Sequence, residues 1–68
     1  MMRNWLRQIR LLKNMTESKV AAAAGIAQPF YHNIEVGRKN PSIRTAKAIA
    51  KVLGFDWTLF FPDTKEAV

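Results

Sequence analysis

The sequence predicts an all-α protein, a compact helical bundle. Three observations carry that expectation. Apolar residues recur at helical spacing with no sustained period-two alternation, cap-type residues (Thr16, Ser42, Asp56) precede apolar segments, and Gly or Pro stands just past their ends. A chain of 68 residues has room for one small domain, which buries only roughly 60% of the surface its unfolded chain exposes. Nearly every apolar stripe is therefore needed for the core rather than for a ligand pocket.

The first helix, about Asn4 to Lys13, places Trp5, Ile9 and Leu12 on one stripe with Leu6 beside them, Leu11 off it, and Arg3, Arg7 and Lys13 around the rim. Thr16 is the cap of a second helix, Met15 and Val20 are spaced as a hydrophobic staple, and four alanines run up to Gly25, suited to a left-handed helix end. After the apolar plug Ile26, Gln28 precedes proline and is pushed toward extended geometry. Gln28 is thus the expected cap and Pro29 the first residue of a third helix that ends near Val36 and Gly37. On that helix Tyr31, Ile34 and Glu35 share one face, Pro29, His32, Asn33 and Val36 share the opposite one, and Phe30 sits on the border.

Pro41 and Ser42 start the fourth helix. Its apolar face is Ile43, Ala46, Ile49, Ala50 and Leu53, with Arg44, Lys47 and Lys51 opposite and Gly54 as the stop. Asp56 is placed to cap a last short turn through Trp57 to Phe61, and Pro62 blocks continuation. Trp5, Phe55, Trp57 and Phe60 are read as packing residues. The domain expected from this pattern is residues 1–62, with residues 63–68 a polar tail.

Composition narrows the function. Without cysteine there is neither a disulfide framework nor a thiolate metal site, and no apolar run approaches the about 20 residues of a membrane span. The opening MMRNWLRQIR interleaves arginine with apolar residues, unlike a signal-peptide core, so a cytoplasmic, nucleoid-associated protein without membrane contact is expected. A single histidine and five scattered acids supply no nucleophile–base arrangement and no metal cluster. No enzyme activity, metal, cofactor or small-molecule ligand is expected. Charge is uneven: residues 1–55 carry +8 and residues 56–68 carry −2. Such an excess suits a polyanion, nucleic acid first, or else a solvated basic surface.

The segment TESKVAAAAGIAQPFYHNIEVG, Thr16 to Gly37, resembles the helix-turn-helix of the lambda-repressor-like (XRE/Cro-type) family of phage and bacterial regulators. LRQIRLLKNMT resembles that family's first helix, RKNPSIRTAKAIAKVLG its loop and fourth helix, and FDWTLFF its closing fifth helix, so the likeness covers about residues 4 to 61. It implies that helices 2 and 3 form the helix-turn-helix and that the amino-terminal half of helix 3 enters the major groove of double-stranded DNA.

On that reading Gln28 and Asn33 are the candidate base readers, since an amide gives and takes a hydrogen bond at once, matching adenine N6 and N7. Pro29 or Phe30 suits a thymine methyl, and His32 suits a base, a phosphate or plain solvent. Phosphate candidates are Arg38, Lys39 and Asn40 in the loop, Arg44 on the fourth helix and Lys19 on the second.

The resemblance also implies a buried ion pair between Arg10 and Glu35. Two positions depart from the family pattern: Glu17 stands where a phosphate-holding glutamine is frequent, and Ala27 where a capping serine or threonine is usual.

The function expected is a sequence-specific DNA-binding transcriptional regulator, a repressor of phage or mobile-element type. It would act as a homodimer on an operator with half-sites about 34 Å apart, with Leu59 and Phe61 as candidates for the dimer contact. The alternative is a protein-interaction module of the same fold, an antitoxin or antirepressor. With no appended sensor domain in the sequence, regulation is expected to come from a partner, abundance or proteolysis.

Overall fold

The computed structural model describes residues 2–62; residue 1 and the expected tail, residues 63–68, lie outside the described residues. The chain runs through four α-helices, α1 (Asn4–Leu12), α2 (Glu17–Ala24), α3 (Gln28–Glu35) and α4 (Ile43–Leu53), and closes in a 3-10 turn at Trp57–Phe60. No strand occurs among the described residues. The expected five-helix bundle is corrected to four helices and one tight turn. The last apolar run is too short for an α-helix: Asp56 accepts from the Thr58 amide at 3.0 Å, and the Phe61 amide bonds back three residues to Thr58. Pro62 has no N–H to extend it.

The helix ends follow local chemistry. Thr16 Oγ1 accepts from the Lys19 amide at 3.1 Å, and Ser42 Oγ accepts from the Thr45 amide at 3.2 Å, each satisfying one unpaired donor of a first turn. Gly25 closes α2 at φ 75°, with the Ile26 amide on the Ala21 carbonyl and the Gly25 amide on the Ala22 carbonyl. No atom lies within 4 Å of where a Cβ at Gly25 would stand, so glycine is required there by torsion and not by space.

The cap of α3 is Ala27, not Gln28. Ala27 has extended backbone (φ −70°, ψ 142°), its carbonyl accepts the first helical bond from Tyr31, and Gln28 is already inside the helix. Gln28 is helical although it precedes proline, and its side chain reaches across to Glu17 on α2. No side chain caps this helix.

Leu6, Val20, Tyr31, Ile34, Ala46, Ile49 and Leu53 are fully enclosed, with Ala21 and Phe60 at their edge. Helix α2 packs on α3 and α4, α1 packs on α3, and the closing turn packs on α4. Trp5 stands edge-on to Phe55 and Phe60 at 5.3 and 5.1 Å between ring centroids, joining the start of the domain to its end.

Two residues assigned to apolar faces turn outward. Leu12 is 82% exposed because the inward stripe of α1 is centred one residue away, on Leu6 and Arg10, with Trp5 and Ile9 beside it. Ile43, the first residue of α4, is 56% exposed, whereas Pro41, just before the Ser42 cap, is buried.

The uncapped α3 gives the first prediction. Ala27→Ser supplies the missing acceptor at an exposed position with cap geometry, and is expected to add about 1 kcal/mol, or about 4 to 8 °C in thermal melting of a domain this size. An unchanged melting temperature would show that the first-turn amides of α3 gain nothing from a hydroxyl.

Candidate nucleic-acid interface

Helix α3 buries Tyr31, Ile34 and Glu35, and so turns the opposite side outward. Gln28, Pro29 and His32 are exposed there, while Asn33 and Val36 are half-buried lower on the same side. The two amides of Gln28 and Asn33 therefore lie on the outer surface of the bundle.

What holds this helix is polar. Arg10, on α1, donates from Nε to Glu35 Oε1 at 2.8 Å and from Nη2 to Glu35 Oε2 at 3.1 Å, a two-pronged pair with both side chains almost wholly out of water. Tyr31 donates its hydroxyl to the same Oε1 at 2.8 Å, and Arg10 Nη1 donates to the Met15 carbonyl at 3.0 Å. Among the described residues every buried side-chain nitrogen and oxygen has a partner. Burial pushes the Glu35 carboxyl up, but hydrogen bonds from Arg10 and Tyr31 and the charge of Arg10 outweigh it and hold Glu35 below its ordinary value. Burial, followed by the bond to Glu35, raises the Tyr31 phenol well above its ordinary range, so it stays a donor.

The same guanidinium approaches Glu17 at the start of α2. Arg10 Nη2 lies 4.0 Å from Glu17 Oε2, and Glu17 Oε1 takes a hydrogen bond from Gln28 Nε2 at 2.9 Å with His32 Nδ1 at 3.0 Å. Glu17 thus draws together two of the candidate reading residues.

A second clamp works at the far end of α3. The Arg3 amide donates to the Glu35 carbonyl at 2.8 Å; its guanidinium donates to the carbonyls of Ile34 and Lys39 and to Asn40 Oδ1, and stands over the Phe60 ring. This fixes the loop that carries Arg38, Lys39 and Asn40, all exposed. Lys19 and Arg44 are exposed on the first turns of α2 and α4. Leu59 is 48% exposed, whereas Phe61 is half-buried against Trp57 and Phe60.

Sequence reasoning missed Arg3, read as a rim charge, and missed that Glu17 faces Gln28 and His32. Neither carries a local signal, because both partnerships span residues far apart in the chain. No helix among the described residues is long and apolar enough to cross a membrane. Among the described residues no group of three or more His, Cys, Asp or Glu is placed to hold a metal ion.

Comparison with known proteins identifies the family of the chain. The helix-turn-helix family model matches residues 6–60. The chain is 49% identical over 63 residues to a Bacillus subtilis (strain 168) protein described as the uncharacterized HTH-type transcriptional regulator YqaF, covering 93% of this chain and 83% of that one. It is 36% identical over 53 residues to the similarly described MJ0272 of Methanocaldococcus jannaschii, covering 78% of this chain and 80% of that protein. It is 35% identical over 49 residues to the HTH-type transcriptional regulator DdrOP3 of Deinococcus deserti, covering 72% of this chain and 38% of that one. No solved structure matches the chain significantly.

Two predictions follow from the buried pair. Arg10→Ala leaves Glu35 enclosed without its cation and is expected to cost about 3 to 5 kcal/mol in denaturant unfolding; a variant as stable as the parent would show that the pair contributes nothing. Because the folded carboxyl of Glu35 is depressed, its contribution is present above the ordinary glutamate value of about 4.3 and is lost as pH falls toward the folded value. Unfolding measured across that acid range should fall steeply in the parent and less steeply in Glu35→Gln. Equal slopes would contradict the assignment.

Proposed function

The chain belongs to the lambda-repressor-like helix-turn-helix family, and from that premise we propose that it is a sequence-specific DNA-binding transcriptional regulator, a repressor of phage or mobile-element type. Helix α3 is the element that enters the major groove, and residues 1–62 form the DNA-binding unit. The observation that carries this reading is the outer surface of α3. Its exposed Gln28, Pro29 and His32 and half-buried Asn33 stand over an enclosed inner face, and the exposed Arg38 and Lys39 follow in the next loop. Polar groups that accept and donate together suit base edges, and a rigid support keeps them in register.

Arg38, Lys39 and Asn40 follow α3 and are held by Arg3; Lys19 and Arg44 stand at the starts of α2 and α4. These residues are assigned to the sugar-phosphate ridges, where they set register without reading sequence. The charge of +8 on residues 1–55 supports the same partner. One copy covers half a site, so two copies on a pseudo-palindromic operator complete the specificity. Of the two residues assigned to a dimer contact, Leu59 is the outward one.

The rival reading, a protein-interaction module, draws on Glu17 and on the apolar Pro29, Phe30 and Val36 of the same surface, and it is the Glu17 half that the structure weakens. The Glu17 carboxylate is directed onto Gln28, His32 and Arg10.

Binding selected from a random DNA pool, followed by a salt series on the selected duplex, tests the proposal. The four cations at positions 19, 38, 39 and 44 lead to a slope of log K against log salt of about −3 to −4 per copy. Lys39→Ala is expected to weaken all sequences alike and to reduce the slope by about 0.9. Asn33→Ala is expected to lower affinity for the selected site alone, by about 1 to 3 kcal/mol. A pool with no enriched sequence, or binding indifferent to salt, would overturn the regulator reading.

A further inference from the structure

The carboxylate of Glu17 lies behind the outer surface of α3, about one-fifth exposed, and touches both side chains that lead that surface. Gln28 Nε2 is 2.9 Å from Oε1; His32 Nδ1 is 3.0 Å from Oε1 and 3.2 Å from Oε2. A carboxylate only accepts hydrogen bonds, so each partner must present a donor to it. That constraint resolves two assignments that are otherwise free, the flip of the Gln28 amide and the tautomer of His32.

The consequences on the outer side are fixed by elementary bonding. Gln28 gives one N–H to Glu17 and keeps its carbonyl and second N–H, the adjoining acceptor and donor that fit N6 and N7 of adenine. In the neutral imidazole the proton sits on Nδ1 against Glu17, so Nε2 is left as an acceptor. An acceptor repels phosphate oxygens and the O6 and N7 of guanine, and it suits the amino groups of adenine N6 or cytosine N4.

We propose that Glu17 is the positioning residue for specificity. By holding Nδ1 of the neutral His32 imidazole it leaves Nε2 as an acceptor, and so makes this surface select an amino-bearing base, adenine or cytosine, opposite His32. The proposal rests on the DNA-reading function above and deepens it.

Two measurements on the intact chain keep the failures apart. Long-range proton–nitrogen spectra of the free protein at high pH report the His32 tautomer. The parent is expected to carry the proton on Nδ1, and Glu17→Gln, whose amide can give or take, is expected to reduce that bias about tenfold. Selection from a random DNA pool then compares the two proteins. The base pairs facing positions 28 and 32 are identified as those whose preference disappears in Gln28→Ala and His32→Ala. Glu17→Gln is expected to lose about tenfold of the preference at those pairs alone, read as the ratio of preferred to non-preferred bases within one protein so that any change in phosphate binding or stability cancels. A parent His32 protonated on Nε2, guanine selected opposite His32, or unchanged preferences in Glu17→Gln would overturn the inference. A locked tautomer with no enriched sequence would instead defeat the DNA-reading proposal, and this one with it.

Discussion

A single guanidinium organises this small domain. Arg10 occupies the inward position of α1 that an aliphatic residue would ordinarily fill, and from there it binds both oxygens of Glu35, the Met15 carbonyl and, more distantly, Glu17. An enclosed ion pair loses hydration on both sides and recovers it only when every remaining donor and acceptor is met. Here Tyr31 completes the set by donating to Glu35. The outcome is directional. An apolar core of this size tolerates small rotations of a helix, whereas a two-pronged charge pair fixes which side of α3 faces in.

The Arg10 pair and the Arg3 clamp divide the support of α3. Glu35 is tied by its side chain to the middle of the bundle, and by its backbone carbonyl to the Arg3 amide. Arg3 continues to Lys39 and Asn40, so the loop after α3 is referenced to the same element as the helix itself. The polar outer side of α3 and the cationic loop that flanks it are thereby built on one frame. That arrangement suits a duplex, where ridge contacts set the register in which groove contacts are read.

Legibility in the sequence tracked the range of the interaction. Caps at Thr16 and Ser42 and the stops at Gly25 and Gly54 act within a few residues, and the helix boundaries they imply agree with the structure. The division of α3 into an inner side of Tyr31, Ile34 and Glu35 and an outer side was available from spacing alone. Leu12 and Ile43 were misplaced because periodicity gives a stripe but not which edge of it a neighbouring helix covers, and end positions are covered least. Gln28 was read as a cap from its place before proline, a preference too weak to locate the helix start, and the extended cap geometry falls one residue earlier, on Ala27. The closing turn was read as a helix by resemblance, though four residues before a proline hold only a 3-10 turn. The roles of Arg3 and Glu17 depend on partners more than ten residues away, which no window of the sequence displays.

On the proposed function, the outer side of α3, supported by Arg10 and Glu35, is the surface that meets DNA. Titrating an isotope-labelled protein with a selected duplex and following each backbone amide tests this most directly. The largest shifts are expected across residues 28–33 and in the loop at residues 38–40, with the far end of α4 and the closing turn nearly unmoved in each copy apart from any contact at Leu59. Shifts concentrated on α1 or on the carboxyl half of α4, with α3 silent, would contradict it.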